Sequence, residues 1–404
     1  MTLLRQLDTV YKDSANLDAF GKLRVSNPIT IFDSKSLFSK RPLFWSEALT
    51  ATGTSTYDAD RATIVLEVPA SGDKVIRQTK EFFNYQPGKS HLIYVSFNAY
   101  GHEVNSLKRI GTFYENDGIF FEDDGIDYKM VLRTSTSSAP TDTAIAQADW
   151  NIDAMNGTGI SGVTIDFTKT QILIIDYEWL GVGRVRCGWI INGKTYYCHE
   201  FLNANNIVDV YMATPNLPIR YEIEATGTVV GTPKIDAICS TVIKEGNGTY
   251  PEGIIFSMSN NSTGLSVASS AQESLIQLRV RSDRIRKGIL DVMNMSVLCT
   301  TNTNFMWSVR INPTVTGGSA SWVNVGDDSV AEYDLSQNGN VSGGTIIASG
   351  YASNNIDQAQ SSIQSAIHAA ADITGVADII VLSVLNLGTG EETFYGSLIW
   401  KELL

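Results

Sequence analysis

The stretch GVGRVRCGWIINGKTYYCHEF, residues 181–201, holds two of the chain's four cysteines and one of its four histidines within 13 residues. It is either a thiol or metal site or the wall of a β-sheet. Asn192-Gly193 stands between two runs of strand-forming residues. A two-residue type I′ turn needs positive φ at both positions, and Asn followed by Gly tolerates this best. The turn sets a register with Ile191 opposite Lys194, Trp189 opposite Tyr196, Cys187 opposite Cys198 and Arg186 opposite His199. Side chains alternate between faces. Val185, Cys187, Trp189 and Ile191 therefore share one face with Tyr196 and Cys198. Arg184, Arg186, Tyr197, His199 and Phe201 share the other.

In that register the two cysteines and His199 cannot meet on one metal ion unless a bulge intervenes. Cys187 and Cys198 fall at a hydrogen-bonded pair with Cα atoms about 5.5 Å apart, which leaves a disulfide open. The high burial of free cysteine favours two thiols packed as small hydrophobes. His199 reads as a wet strand-edge residue rather than a ligand. The stretch is thus a hairpin in a sheet.

Composition extends this reading. The chain has 404 residues, 43% hydrophobic and 18% charged, enough for two or three domains with large cores. Its net charge of −13 opposes a phosphate-gripping surface, so no nucleic-acid partner is expected. The run Arg279, Arg281, Arg284, Arg286 and Lys287 reads as a solvated strand face and turn. The first 18 residues lack the apolar core of a signal peptide, and no stretch approaches about 20 uninterrupted apolar residues. The expectation is a soluble chain made in a cytoplasm, without membrane insertion.

Along the chain, residues 1–45 read as an extended arm. From 46 to 248, short strand-like runs recur about every ten residues with Gly, Asn and Ser turns between them. Among them are ATIVLEV (62–68), HLIYVSF (91–97), VTIDF (163–167), QILIIDYEWL (171–180), IVDVYMA (207–213) and KIDAICSTVI (234–243). Asn116-Asp117-Gly118 marks a second hairpin. QILIIDYEWL is nearly all apolar and reads as a central strand covered on both faces. No long helical crossover separates the runs, so the sheets are antiparallel. The fold class is all-β: two antiparallel β-sandwich, jelly-roll-like domains, 46–248 and 249–404, divided at GNGTYPEG (246–253). One piece departs from the pattern. Residues 356–371, with Ile356, Ile363 and Ile367 on one helical face, predict a short helix in the second domain, capped by Ser or Asn at 353–355.

Little in the sequence demands chemistry. Histidines 91, 102, 199 and 368 are scattered, and there is no nucleophile elbow or phosphate loop. No cofactor, metal ligand set or catalytic residue is assigned, and the chain is expected not to be an enzyme. The best carboxylate pair for glycoside hydrolysis is Asp176 and Glu178, two residues apart on one strand. Glu115, Asp117, Glu122, Asp123 and Asp124 cluster about one hairpin and could offer oxygens to Ca²⁺, without EF-hand spacing. Both groups read more simply as solvated acidic strips.

Three stretches together carry a resemblance: LDAFGKLRVSNPITIFDSK (17–35), FFNYQPGKSHLI (82–93), and WLGVGRVRCGWIINGKTYYCHEFLNAN (179–205) followed by NLPIRYEIE (216–224). The combination resembles a family of virion structural proteins from tailed bacteriophages. Residues 307–322 and 397–404 resemble it more weakly. The resemblance implies a particle component located on the virion, and it carries over no catalytic site. With the β-rich pattern it gives the expectation of a homo-oligomeric, tail-associated part (baseplate, collar or fibre). Its partners would be copies of itself and neighbouring virion proteins. Alternatives are a capsid-exterior decoration protein, a fibre module binding a host-surface glycan, and a polysaccharide depolymerase using Asp176 and Glu178. The arm would supply the assembly contacts through Leu17, Phe20, Leu23, Val25, Ile29, Ile31 and Phe32. Asn27-Pro28 would hold it extended. Removing residues 1–45 is expected to leave folded sandwiches that no longer assemble.

Overall fold

A computed structural model describes residues 27–246, 253–260, 262, 264–301, 303–352, 359–363 and 368–403. Every strand pairing in it is antiparallel, and among the described residues the one helical element is a 3-10 turn at Gln147–Asp149. Two apolar cores form, one from residues up to Val242 and one from Val267 onward.

The first body opens with β1 (Ile29–Lys35), β2 (Trp45–Thr50), β3 (Thr54–Asp58), β4 (Thr63–Glu67) and β5 (Lys74–Thr79). It continues with β6 (His91–Asn98), β7 (Ser106–Phe113), β8 (Gly118–Asp123), β9 (Tyr128–Thr134) and β10 (Thr141–Ala146). It closes with β11 (Gln171–Tyr177), β12 (Val185–Ile191), β13 (Lys194–Phe201), β14 (Ile219–Ala225) and β15 (Lys234–Lys244). One sheet runs β13-β12-β11-β6-β15-β4-β3, with β1 on β15; the other runs β10-β9-β8-β7-β14-β5-β2. Their inner faces enclose Phe97, Phe121, Phe167 and Trp189, whose rings meet at centroid distances of 5.0 to 6.2 Å. Period-two burial in β6, with every second residue inside from His91 to Phe97, is what HLIYVSF encodes.

The second body contains β16 (Ile254–Ser259), β17 (Leu265–Val267), β18 (Gln272–Val280), β19 (Ile289–Cys299), β20 (Phe305–Ile311), β21 (Thr314–Val315) and β22 (Val323–Asn324). It ends with β23 (Ala331–Asp334), β24 (Val341–Ser342), β25 (Thr345–Ala352), β26 (Ala359–Ser362), β27 (Ile379–Asn386) and β28 (Glu392–Leu403). One sheet runs β16-β28-β19-β26 with β17 on β28, and the other β22-β23-β18-β27-β20-β25. Trp400, Phe394 and Leu382 are fully buried between them. Lys80 donates to Asp378 (2.8 Å) and His368 Nδ1 lies 3.2 Å from Glu81, so charged pairs join the two bodies.

Four expectations need correction. The first is the helix over 356–371. Ala359–Ser362 instead form β26, paired with Asn294–Val297 of β19, and Ala369 and Ala371 make isolated bridges to Leu290 and Ala377. The edge of β19 offers unpaired backbone groups, and pairing there overrides a weak local helix preference. Residues 353–358 and 364–367, with the expected cap, Ile356 and Ile367, lie outside the described residues.

The second is the register of the 181–201 hairpin. The turn forms as read, with Asn192 at φ 53° and Gly193 at φ 75°. Pairing follows the expected register from Ile191–Lys194 to Gly188–Tyr197, then shifts, so that Cys187 faces His199 and Val185 faces Phe201. Cys198 is the extra residue of a bulge. One extra residue sends everything after it to the opposite face. His199 is therefore inside, 5% exposed, rather than wet. Gly188 permits the close approach beside the bulge: a Cβ there would lie 2.3 Å from Tyr196 O. Cys187 and Cys198 are buried free thiols, as expected.

The third concerns β11. It is central, between β12 and β6, but its outer face is open at Ile172. Of the other runs read as strands, VTIDF makes only the bridge Asn156–Thr164, and IVDVYMA forms no strand.

The fourth concerns the arm. Ile29 to Lys35 pair with Lys244 to Cys239 of the same chain, Phe32 is 7% exposed against Phe83 and Trp45, and Trp45 Nε1 donates to Ser34 Oγ (2.9 Å). Deleting residues 1–45 removes two aromatic core residues, each worth about 3–5 kcal/mol on large-to-small core scales. That variant should lose cooperative thermal unfolding. A chain of residues 27–404 should keep its melting temperature within about 2 °C of the full length by calorimetry.

Candidate functional site

The candidate site is an end of the first body. His91, Tyr177, Val185 and Phe201 stand in one row across β6, β11, β12 and β13. Beyond that row lie two loops, 178–184 and 202–216. Under them sits an aromatic floor: Tyr85 packs on Tyr177, Trp179 and His91 at centroid distances of 6.0, 6.5 and 5.4 Å.

Polar anchors hold both loops to this floor. Tyr85 Oη accepts from Trp179 N (2.9 Å), and Trp179 Nε1 donates to Met212 O (3.1 Å). Tyr211 donates through its hydroxyl to Glu178 O (2.7 Å) and through its N–H to Gly181 O (2.8 Å). Asn203 Nδ2 donates to Gly183 O (2.6 Å). Buried Asp117, in the second hairpin, accepts from Ala213 N (2.8 Å) and Ser135 Oγ (2.8 Å).

What these anchored loops present is apolar. Leu180, Val182, Leu202, Ile207, Val208 and Val210 are 37 to 99% exposed, Val208 most of all. They line two adjoining depressions of about 380 and 460 Å³ that share Leu202 and Asn203 as a common wall. Reading IVDVYMA as a strand missed this surface. The signal was in its flanks: NANN (203–206) and TPNLP (214–218) are turn-forming clusters that bracket a loop. Leu37 and Phe38, 60 and 79% exposed between β1 and β2, form a second apolar knob that the sequence reading did not single out.

Of the carboxylates singled out in the sequence, Asp176 and Glu178 share one small polar depression of about 170 Å³ with Ser90, Arg184 and Arg186. Asp176 pairs with Arg186 and accepts from Tyr197 Oη (3.2 Å), while Glu178 lies past the end of β11 and accepts from Arg184 N (3.2 Å). The acidic hairpin residues each have separate partners: Glu115 pairs with Arg220, Glu122 with Arg109, Asp123 with His102 and Asp124 with Lys129. On the outer face of the second sheet, Glu222 meets Lys74 (2.9 Å), Arg109 (3.2 Å) and Arg220 (2.5 Å). Burial opposes its ionisation, but the three cations outweigh it and hold the carboxyl down at about 2. It stays ionised at neutral pH and cannot serve as a general acid. Among the described residues, no group of three or more His, Cys, Asp or Glu is placed to hold a metal ion, and no helix is long and apolar enough to cross a membrane.

Of the arm residues, Ile29 and Ile31 are half-buried and Phe32 buried on β1; Leu17, Phe20, Leu23 and Val25 lie outside the described residues.

No protein-family model and no curated protein matches the chain. Solved structures with some likeness include a protein of unknown function from Shewanella oneidensis MR-1, 9% identical, TM-score 0.37, covering 57% of this chain and 91% of that one. A legume lectin-like domain from Entamoeba histolytica is 10% identical, TM-score 0.31, covering 53% and 97%. A glycoside hydrolase family protein from Mycobacterium thermorestibile is 10% identical, TM-score 0.36, covering 52% and 99%. Likenesses this distant carry no argument about what the chain does.

The end surface has a pH signature. Burial pushes His91 and His199 down from 6.5 to about 4, and His199 Nδ1 accepts from Asn151 N (3.2 Å), which requires the neutral ring. Folded pKa values below the unfolded ones mean that the unfolded chain binds these protons first. Their contribution is whole above pH 6.5 and falls away as pH drops from 6.5 toward 4. For fully buried His91 the loss is on the order of 3 kcal/mol. Denaturant titrations across this range should show that slope, and His91→Phe should flatten it while lowering stability at pH 7 by only about 1 kcal/mol.

Proposed function

We propose that the chain is a structural part of a tailed-phage virion, tail-associated, that joins copies of itself through its N-terminal segment and catalyses no reaction. A place on the capsid exterior is the alternative within the same structural class. One observation carries the reading. β1 clips the chain onto its own first sandwich and begins at the end where six aliphatic side chains stand exposed on well-anchored loops. Such a body gains by association, since covering apolar surface contributes roughly 25 cal/mol per Å² before ordering costs.

Two further points support it. The resemblance of 17–35, 82–93, 179–205 and 216–224 to phage virion proteins points to a particle. The exposed large side chains of the end surface are Leu, Ile and Val rather than aromatics, which favours a protein partner over a sugar ring.

The full chain should exceed its 44.1 kDa monomer mass in light scattering, and residues 27–404 should run as a folded monomer. An antibody to the second body should label intact particles by electron microscopy. A full chain that stays monomeric at every concentration, or particles that bind no antibody, rejects the reading.

A further inference from the structure

We infer that the apolar end surface is the receptor for the N-terminal segment of a second copy, with residues 17–27 of one chain seated across loops 178–184 and 202–210 of the next. The inference rests on the assembly reading above and names both halves of its contact.

Exit geometry is the first support. Ile29 pairs with Lys244, Lys244 with His91, His91 with Tyr177, Tyr177 with Val185 and Val185 with Phe201. The arm therefore leaves the sheet on the same row, and at the same end, as the receiving loops. β1 runs antiparallel to β15, so the chain before Ile29 heads off that end along the strand axis. Asn27 and Pro28 are exposed there. Proline fixes its own φ and keeps the preceding residue, Asn27, extended. Reaching its own groove would need a sharp bend back across five strand spacings, about 24 Å. Fully extended, residues 17–28 would span up to about 40 Å, enough to reach an adjacent copy.

Shape and charge are the second support. The segment offers Leu17, Phe20, Leu23 and Val25. The larger depression, about 460 Å³, exceeds the ~150 Å³ that admits a benzene ring, so it can take Phe20. The segment carries Lys22 and Arg24 against one acid, Asp18, and the rim carries Glu178, Glu200 and Asp209 against one cation, Arg184. Opposite charges at the rim of an apolar contact fix its register. A segment donated by each copy to the next is a heterologous contact, which builds rings or open stacks.

The test uses full-length chain with Cys239→Ser and Cys299→Ser, the two thiols that are not fully buried. Leu23→Cys is placed in one preparation and Val208→Cys in a second, tagged one. After mixing and mild oxidation, a tagged, reducible heterodimer should exceed either self-linked dimer at least tenfold on non-reducing gels. Separately, Leu202→Glu with Val208→Glu should raise the concentration for half-assembly at least tenfold, with an unchanged melting temperature. If chains assemble but do not cross-link, and the glutamates have no effect, the groove is overturned while arm-driven assembly stands. If one chain bearing both cysteines yields only a fast-migrating monomer, the segment folds back on its own body and the second-copy assignment is overturned. If removing residues 1–26 leaves assembly intact, the assembly reading itself falls.

Discussion

Strand β15 is the constraint on which the first body depends. Along one side it pairs with β6 from Asp236 to Lys244; along the other it is shared between β4, over Lys234 to Ala237, and β1, over Cys239 to Lys244. One strand thus gathers the start, the middle and the end of the first 244 residues. These are long-range pairings with high closure entropy, so they form only as part of the complete sheet. The same pairing sets the start of β1 at the end of the sheet where loops 178–184 and 202–216 lie.

A second theme is neutralisation. The body buries or half-buries many charges yet leaves them few productive options. Lys108, fully buried, donates to Ala99 O (2.6 Å), Gly101 O (3.0 Å) and Glu103. Arg77 is sandwiched between Glu47 (2.6 Å) and the ring of Trp45, at 4.5 Å from its centroid. Arg109, Arg133 and Arg220 lie over the outer-face aromatics Phe113 and Phe120. Buried charges paired in this way favour one packing of the sheet over its alternatives. The end surface differs again, because its hydrogen bonds point inward to hold the loops while its aliphatic side chains point outward.

Much of this was legible in the residues. β6 lies where its alternating apolar run places it, and both hairpins turn at the expected Asn-Gly and Asn-Asp-Gly. Free buried thiols at 187 and 198 were readable from residue type. The departures share a cause. The bulge at Cys198, the edge pairing of Ala359–Ser362 and the loop at 207–213 each depend on a neighbour far away in sequence, which no local window contains. For His199 a single extra residue changed face, burial and protonation together. The pairing of β1 has the same origin: the apolar pattern of ITIF is local, but its partner strand is more than 200 residues away.

By itself, then, the sequence determined that the chain is a set of short antiparallel strands with two separate apolar cores, because side-chain alternation and turn chemistry act over a few residues. Only the tertiary structure decided which segments close the sheets, which carboxylates meet cations and which aliphatic side chains remain outside. Those outcomes follow from long-range pairing and burial, where a group's neighbours rather than its own preference set its free energy.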